Sequence, residues 1–340
     1  MKQLKDPRLT LQPAPLLVQG MTTPMAMRDV WYALLPATLA GLWFFGLSAL
    51  LVLLASIIGA VATEWAFTPA QTQTTALGDG SAALTGLLLG LTLPPALPVW
   101  MAFLGGVVAI GLGKVIWGGL GNNLFNPALV GRAFLLGTFP IAMTTWYPAQ
   151  GPAHFLDLYS STLAAPFMQA TWDSMSGASP LGLMKFEYEG TAISSLFIGN
   201  TAGSLGETSS LLLLLGGLWL WFRRDLDWRI PASIFLTAGI FSGILFAVDA
   251  ERFPSPLFTL FSGGMMLGAI FMATDPVTSP LTPRGSWIFG AGIGFLVVLI
   301  RVFGGMPEGM MYAILLMNAA TPLIDRYTQP RVFGRGAKKA

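Results

Sequence analysis

Residues 31–67 read WYALLPATLAGLWFFGLSALLVLLASIIGAVATEWAF, with one charged side chain, Glu64. A hydrocarbon core about 30 Å thick is crossed by about 20 helical residues, so this run is too long for one span. It divides near Gly46 into two. The rest of the chain has the same character: of 340 residues, 54% are hydrophobic and 10% charged, where a soluble domain carries about 25% charged residues. Mean hydropathy is +0.67. Apolar segments in this proportion cannot all be hidden under a solvated surface, and the chain belongs in a bilayer.

Working outward, further apolar runs cover Ser81 to Leu93, Pro98 to Trp117 and Pro127 to Met143, then Ser209 to Phe222, Ile230 to Val248, Pro256 to Ala273, Trp287 to Phe303 and Pro307 to Ile324. The expectation is an all-α polytopic membrane protein with about ten transmembrane helices. Several runs are short and interrupted by Gly or Pro, which predicts broken helices. Both ends are basic, with Lys2, Lys5, Arg8 and Arg28 at one and Arg326, Arg331, Arg335, Lys338 and Lys339 at the other. The positive-inside rule sets both on the cytoplasmic side of a bacterial inner membrane, together with Arg223, Arg224, Arg229 and Arg284. The polar interval 144–208 holds one lysine and no arginine, and is expected outside. The first 28 residues contain no apolar core of a signal peptide.

The halves repeat at a period of about 180 to 187 residues. Gly86-Leu-Leu-Leu-Gly90 matches Gly264-Met-Met-Leu-Gly268, Trp100 matches Trp287, and Gly118-Gly119 matches Gly304-Gly305. Five spans per copy is odd, so the second copy enters the membrane the other way up. The expected organisation is a basic segment 1–28, a five-helix repeat 29–143, an outer loop 144–208, an inverted five-helix repeat 209–325 and a basic tail 326–340. The paired glycines are read first as close helix packing.

Composition excludes much chemistry. There is no cysteine and one histidine, His154, so thiolate metal sites, cysteine-held iron-sulfur clusters and bis-histidine haem are absent from this chain, and no metal site is expected. Any electron it handles travels on an organic group that it binds. A formal charge of +2 gives no basis for a nucleic-acid partner, whatever the pI near 9.0 suggests. Gly111-Leu-Gly113-Lys114 is followed by Val115 where a P-loop needs Ser or Thr, and Lys114 is read as a cation reaching the inner interface.

Four places could carry chemistry. Asn122, Asn123 and Asn126 lie on a Gly-rich loop before Pro127, where they could meet a heterocycle or simply form a turn and a cap. Arg132 lies a turn inside the following span and must be paired or functional. Asp173 to Pro180, in the outer interval, is an ordinary turn by composition, and also an accessible stretch with free hydroxyls. Asp275, with Thr274 and Thr278, ends a broken helix and could cap it or face a cation. Glu308, in the corresponding turn of the second copy, is placed at the interface.

Met27 to Pro36, Asp79 to Ala82, Gly118 to Phe134, Asp173 to Pro180, Met272 to Thr278 and Gly309 to Asp325 together resemble the D subunits of the Rnf electron-transport complex, similar to the B subunit of the sodium-pumping NADH:quinone reductase. The resemblance implies a membrane subunit of an ion-translocating ferredoxin:NAD+ oxidoreductase, not catalytic alone, coupled to Na+ or H+ transport. It implies FMN attached through its phosphate by an extracytoplasmic flavin transferase to the last hydroxyl of an Asp-x-x-Ser/Thr-Gly-Ala-Thr motif. Asp173, Ser176, Gly177 and Ala178 fit, and Ser179 stands where Thr is usual. Asn123 and Asn126 match positions of a non-covalent riboflavin site in the quinone-reductase relative, and Arg132 and Asp275 are candidates for that second flavin or for a cation pathway. Implied partners are the other membrane and peripheral subunits, including iron-sulfur and second flavin subunits. The alternatives are the B-type quinone-reductase subunit and a flavin-free solute channel of urea-channel type, which the inverted repeat alone would allow.

Overall fold

The computed structural model describes residues 22–69, 73–149, 151–166, 168 and 179–330. Among them the architecture is all-helical, with no strand. Helix α1 runs Thr23–Phe67, 45 residues, and is broken at Gly46, whose φ of 67° and ψ of −148° lie outside helical space. A side chain there would be strained and would also strike Phe155, since a Cβ would sit 2.6 Å from its carbonyl oxygen. The elbow is closed by the interval 144–208: Leu47 N–H donates to Phe155 O (2.8 Å), Gly151 N–H to Phe44 O (3.2 Å) and Tyr159 N–H to Ser48 Oγ (3.1 Å). The division expected near Gly46 is the one found.

The first half continues with α2 (Gln73–Gly78), α3 (Ser81–Leu91), α4 (Val99–Ile110, prolonged by a π-helical turn Gly111–Val115), α5 (Pro127–Thr138) and α6 (Pro140–Thr144). In the interval 144–208, α7 (Pro180–Gly182) passes into a π-helical turn Leu183–Glu187, followed by α8 (Ile193–Ile198). The second half holds α9 (Ser210–Arg223), α10 (Arg229–Val248), α11 (Pro256–Phe261), α12 (Met265–Leu267, prolonged as a π-helical turn Gly268–Met272), α13 (Pro283–Phe303) and α14 (Met310–Thr328). Three helices are long and apolar enough to cross a membrane, α1, α10 and α13, and four shorter apolar stretches lie among them, so the protein is multi-pass. Two expected spans are divided: Pro127 to Met143 at Phe139, before Pro140, and Pro256 to Ala273 at Ser262 to Gly264.

Glycines set the packing. A Cβ on Gly86 would lie 2.6 Å from Ile57 Cα, and one on Gly106 2.3 Å from Ser56 O, so α3 and α4 lie directly on the second limb of α1. In the second half, a Cβ on Gly294 would lie 2.6 Å from Ile234 O, bringing α13 as close to α10. For Gly86 and Gly90 the packing reading therefore holds; backbones approach because nothing intervenes. One apolar cluster joins the halves, including Leu34, Leu89, Leu129, Leu135, Ile270, Phe289 and Ile314. Around it Trp43, Ile58, Trp65, Ile116, Leu215, Ile240 and Leu316 stand exposed, as lipid-facing side chains do.

Candidate functional site

The expected site residues separate into two cavities on either side of α5, and Asp173, Ser176, Gly177 and Ala178 lie outside the described residues. Ser179 and Arg132 line one cavity; Asn123, Asn126 and Asp275 line the other. The pairing of Arg132 with the asparagines is thus corrected. One turn and a half of α5 separates Asn126 at its N-cap from Arg132, enough to carry the guanidinium to the other cavity.

The Ser179 cavity measures about 410 Å³, within the range of roughly 300–1,000 Å³ usual for ligand pockets. Met143, Trp146, Met311 and Tyr312 supply flat and polarisable walls, and Arg132, Glu187, Glu207 and Glu308 supply charge. Ser179 has extended backbone and caps α7, its Oγ accepting from Gly182 N–H at 3.1 Å. That bond uses an oxygen lone pair and leaves the hydroxyl hydrogen out of it. The residue is 8% exposed and lines the cavity, where an accessible surface stretch was expected.

Arg132 is buried and forms an ion pair with Glu308 across 176 positions of sequence. Glu308 is also held by the second half: its other oxygen accepts from Gly264 N–H at 3.1 Å. That N–H is freed by the break between α11 and α12, and Arg301 serves the opposite end, donating to Thr259 O (2.7 Å) and Ser262 O (3.0 Å). One cation and one carboxylate thus satisfy a helix break that would otherwise leave buried backbone groups orphaned. Arg301 was missed at sequence level although an arginine inside an apolar span is a signal in itself, and it lies one repeat period beyond Lys114. Glu207 lies against the same floor, with Oε1 buried and unpartnered. Burial, and then the Glu308 carboxylate, push it above the usual carboxylate range, while Arg132 pulls it back.

The second cavity is about 110 Å³, well short of the roughly 300 Å³ at the lower end for ligand pockets. Asn126 is fully committed: Oδ1 accepts from Ala128 N–H (3.0 Å) and Leu129 N–H (3.4 Å), and Nδ2 donates to Met272 O (3.1 Å) in the other half. Asn123 Nδ2 reaches Phe125 O at 3.4 Å, and its Oδ1 is buried without a partner. Asp275 accepts from Val277 N–H (3.2 Å) and Thr278 Oγ1 (3.3 Å), closing an Asx turn between Met272 and Pro283 and not capping a helix. A riboflavin does not fit this cavity as it stands. Lys114, expected to reach the interface, is buried instead, paired with Glu64 and donating to Ser81 Oγ (2.7 Å).

A family model described as the NQR2, RnfD, RnfE family matches residues 10–334. The chain belongs to that family. Among similar proteins, the D subunit of the proton-translocating ferredoxin:NAD(+) oxidoreductase complex from Clostridium ljungdahlii is 40% identical, with 98% of each chain covered. The D subunit of the ion-translocating oxidoreductase complex of Stutzerimonas stutzeri is 44% identical over 92% of each, and its counterpart in Yersinia pseudotuberculosis serotype O:1b is 41% identical over 92% of this chain and 95% of its own.

The structure gives one of the motifs that carry the family resemblance a physical reason. In Met27 to Pro36, Asp29 is buried and accepts from Arg223 through both Nε and a terminal nitrogen at 2.9 Å, clamping α1 to the end of α9. Asp225 lies beside it, and burial followed by the Asp29 carboxyl pushes its pKa up to about 6.

Proposed function

We propose that this chain is the membrane subunit of an ion-translocating ferredoxin:NAD+ oxidoreductase complex, carrying electrons on an FMN held through its phosphate on Ser179, coupled to Na+ or H+ transport. Similarity over nearly the whole chain to proteins named as the D subunits of such complexes supports the assembly. The observation that carries the site is the cavity of about 410 Å³ that Ser179 lines. In this reading the chain works with iron-sulfur and second flavin subunits in a bacterial inner membrane, its termini cytoplasmic, and is not an enzyme alone. An exported flavin transferase would modify Ser179 from the outer side.

FMN bound there would supply one- and two-electron transfer, which no side chain of this cysteine-free protein can. Ser179 would hold the phosphate end and keep accepting from Gly182 N–H, since an ester oxygen retains a lone pair. Trp146, Tyr312, Met143 and Met311 would enclose a planar ring and exclude water. The two-copy inverted architecture is part of the proposal, supported by the matching close contacts of α4 on α1 and α13 on α10.

The test is in-gel flavin fluorescence of the denatured chain, wild type beside Ser179→Ala, co-produced with an exported flavin transferase. A fluorescent band lost in the variant is expected. A dark wild-type band would overturn the covalent flavin.

A further inference from the structure

The cavity beside Ser179 has a charged floor contributed by both halves of the chain. Arg132 comes from α5, Glu308 from the turn between α13 and α14, and Glu207 from the turn before α9. The Arg132 and Glu308 side chains are 8% and 18% exposed. Desolvating such a pair offsets most of its attraction, so its worth to stability alone is small. Glu207 uses Oε2 on Ser204 N–H at 3.5 Å, and its buried Oε1 has no hydrogen-bond partner. A Cβ built on Gly264 would lie 2.5 Å from Glu308 Oε1 and 3.6 Å from Glu207 Oε1, so both carboxylates crowd one backbone position. Glu308 also serves the helix break, but that break makes no use of Glu207 Oε1; a group in the cavity that changes charge would feel all three side chains strongly, because the local dielectric is low.

We propose that Arg132, Glu308 and Glu207 are positioning residues for the ring of the flavin carried on Ser179, setting the charge beside it and with it the ease of reduction. The inference rests on the Ser179 reading above. Each electron delivered by the partner subunits adds one negative charge to the ring unless a proton accompanies it. A fixed guanidinium favours that gain, and a fixed carboxylate opposes it. Arg132 and Glu207 should therefore act in opposite directions, a signature that loss of structure would not produce.

The experiment is an anaerobic redox titration, followed by flavin absorbance, of the full-length chain co-produced with the exported transferase. Arg132→Gln should make the flavin harder to reduce by about tenfold in equilibrium constant, which is about 59 mV for a one-electron couple. Glu207→Gln should make it easier to reduce when titrated above about pH 7, where the Glu207 carboxyl is ionised. Arg132→Lys, which keeps the charge, should stay near wild type; with Glu207→Gln it carries the test should Arg132→Gln not accumulate. Unmoved potentials in a fluorescent protein, or shifts of the same sign in both Gln variants, would overturn this inference alone. A dark wild-type chain would overturn the Ser179 reading and this one with it.

Discussion

Single side chains in this protein are held by partners far away in sequence, and their roles follow from those partners. Lys114 was expected at an interface because nothing near it in sequence is acidic; Glu64, 50 positions earlier, lies beside it only once α3 and α4 pack on α1. Arg132 was legible as a residue needing a partner, but its partner was not, since Glu308 belongs to the other half. Breaking a buried pair by removing one member costs about 3–5 kcal/mol, whereas an apolar replacement of both is often neutral. Lys114→Met should therefore lower the melting temperature in detergent sharply, and Glu64→Leu with Lys114→Met should recover most of the loss; a double variant that loses the sum of the two single losses would show the residues to be independent. Asp225 adds a pH dependence. Its folded pKa of about 6 exceeds the ordinary 3.8, so the native chain binds more protons than the unfolded one between those values. Stability falls as pH rises through that window. In Asp225→Asn this fall should vanish from melting curves taken between about pH 4 and 7.

Helices show which signals a sequence carries. The elbow of α1 was legible because length alone forbids a single span of that run, and Gly46 is where the backbone turns. The break at Ser262 to Gly264 was not, because Gly264-Met-Met-Leu-Gly268 has the spacing of a packing motif and its polar use depends on Arg301 and Glu308. Gly46→Ala should lose about 1–3 kcal/mol to strain and displace Phe155, seen as a lower melting temperature and proteolysis near residue 155. Lys185 ties the segment after Ser179 to the end of α13, donating to Arg301 O and Met306 O at 2.9 Å and also to Gly304 O. Lys185→Met should raise hydrogen exchange across Leu183–Glu187 while leaving α13 protected; unchanged exchange would mean that the turn holds without it.

At the scale of the whole chain, membrane class, the family and the placing of most helices could be read from composition, run length and motifs. The assignment of residues to cavities could not, because α5 presents Asn126 and Arg132 to different neighbours. Asn126 binds its own helix start and the other half through Met272 O. Asn126→Ala should cost about 1–2 kcal/mol of stability from the lost cap and leave in-gel flavin fluorescence intact, checked on one preparation. Lost fluorescence would reconnect it to the flavin.

The closure of the α1 elbow by residues 151–159 also has a temporal side. Leu47 leaves the ribosome roughly a hundred residues ahead of Phe155, an interval of about 5–20 s at 5–20 residues per second. During that time the Phe44 and Leu47 backbone groups at the kink lack the partners that close it in the folded protein. Such groups are tolerated in water and not in hydrocarbon. The nascent kink is therefore better tolerated in the aqueous phase until residues 151–159 arrive to close it.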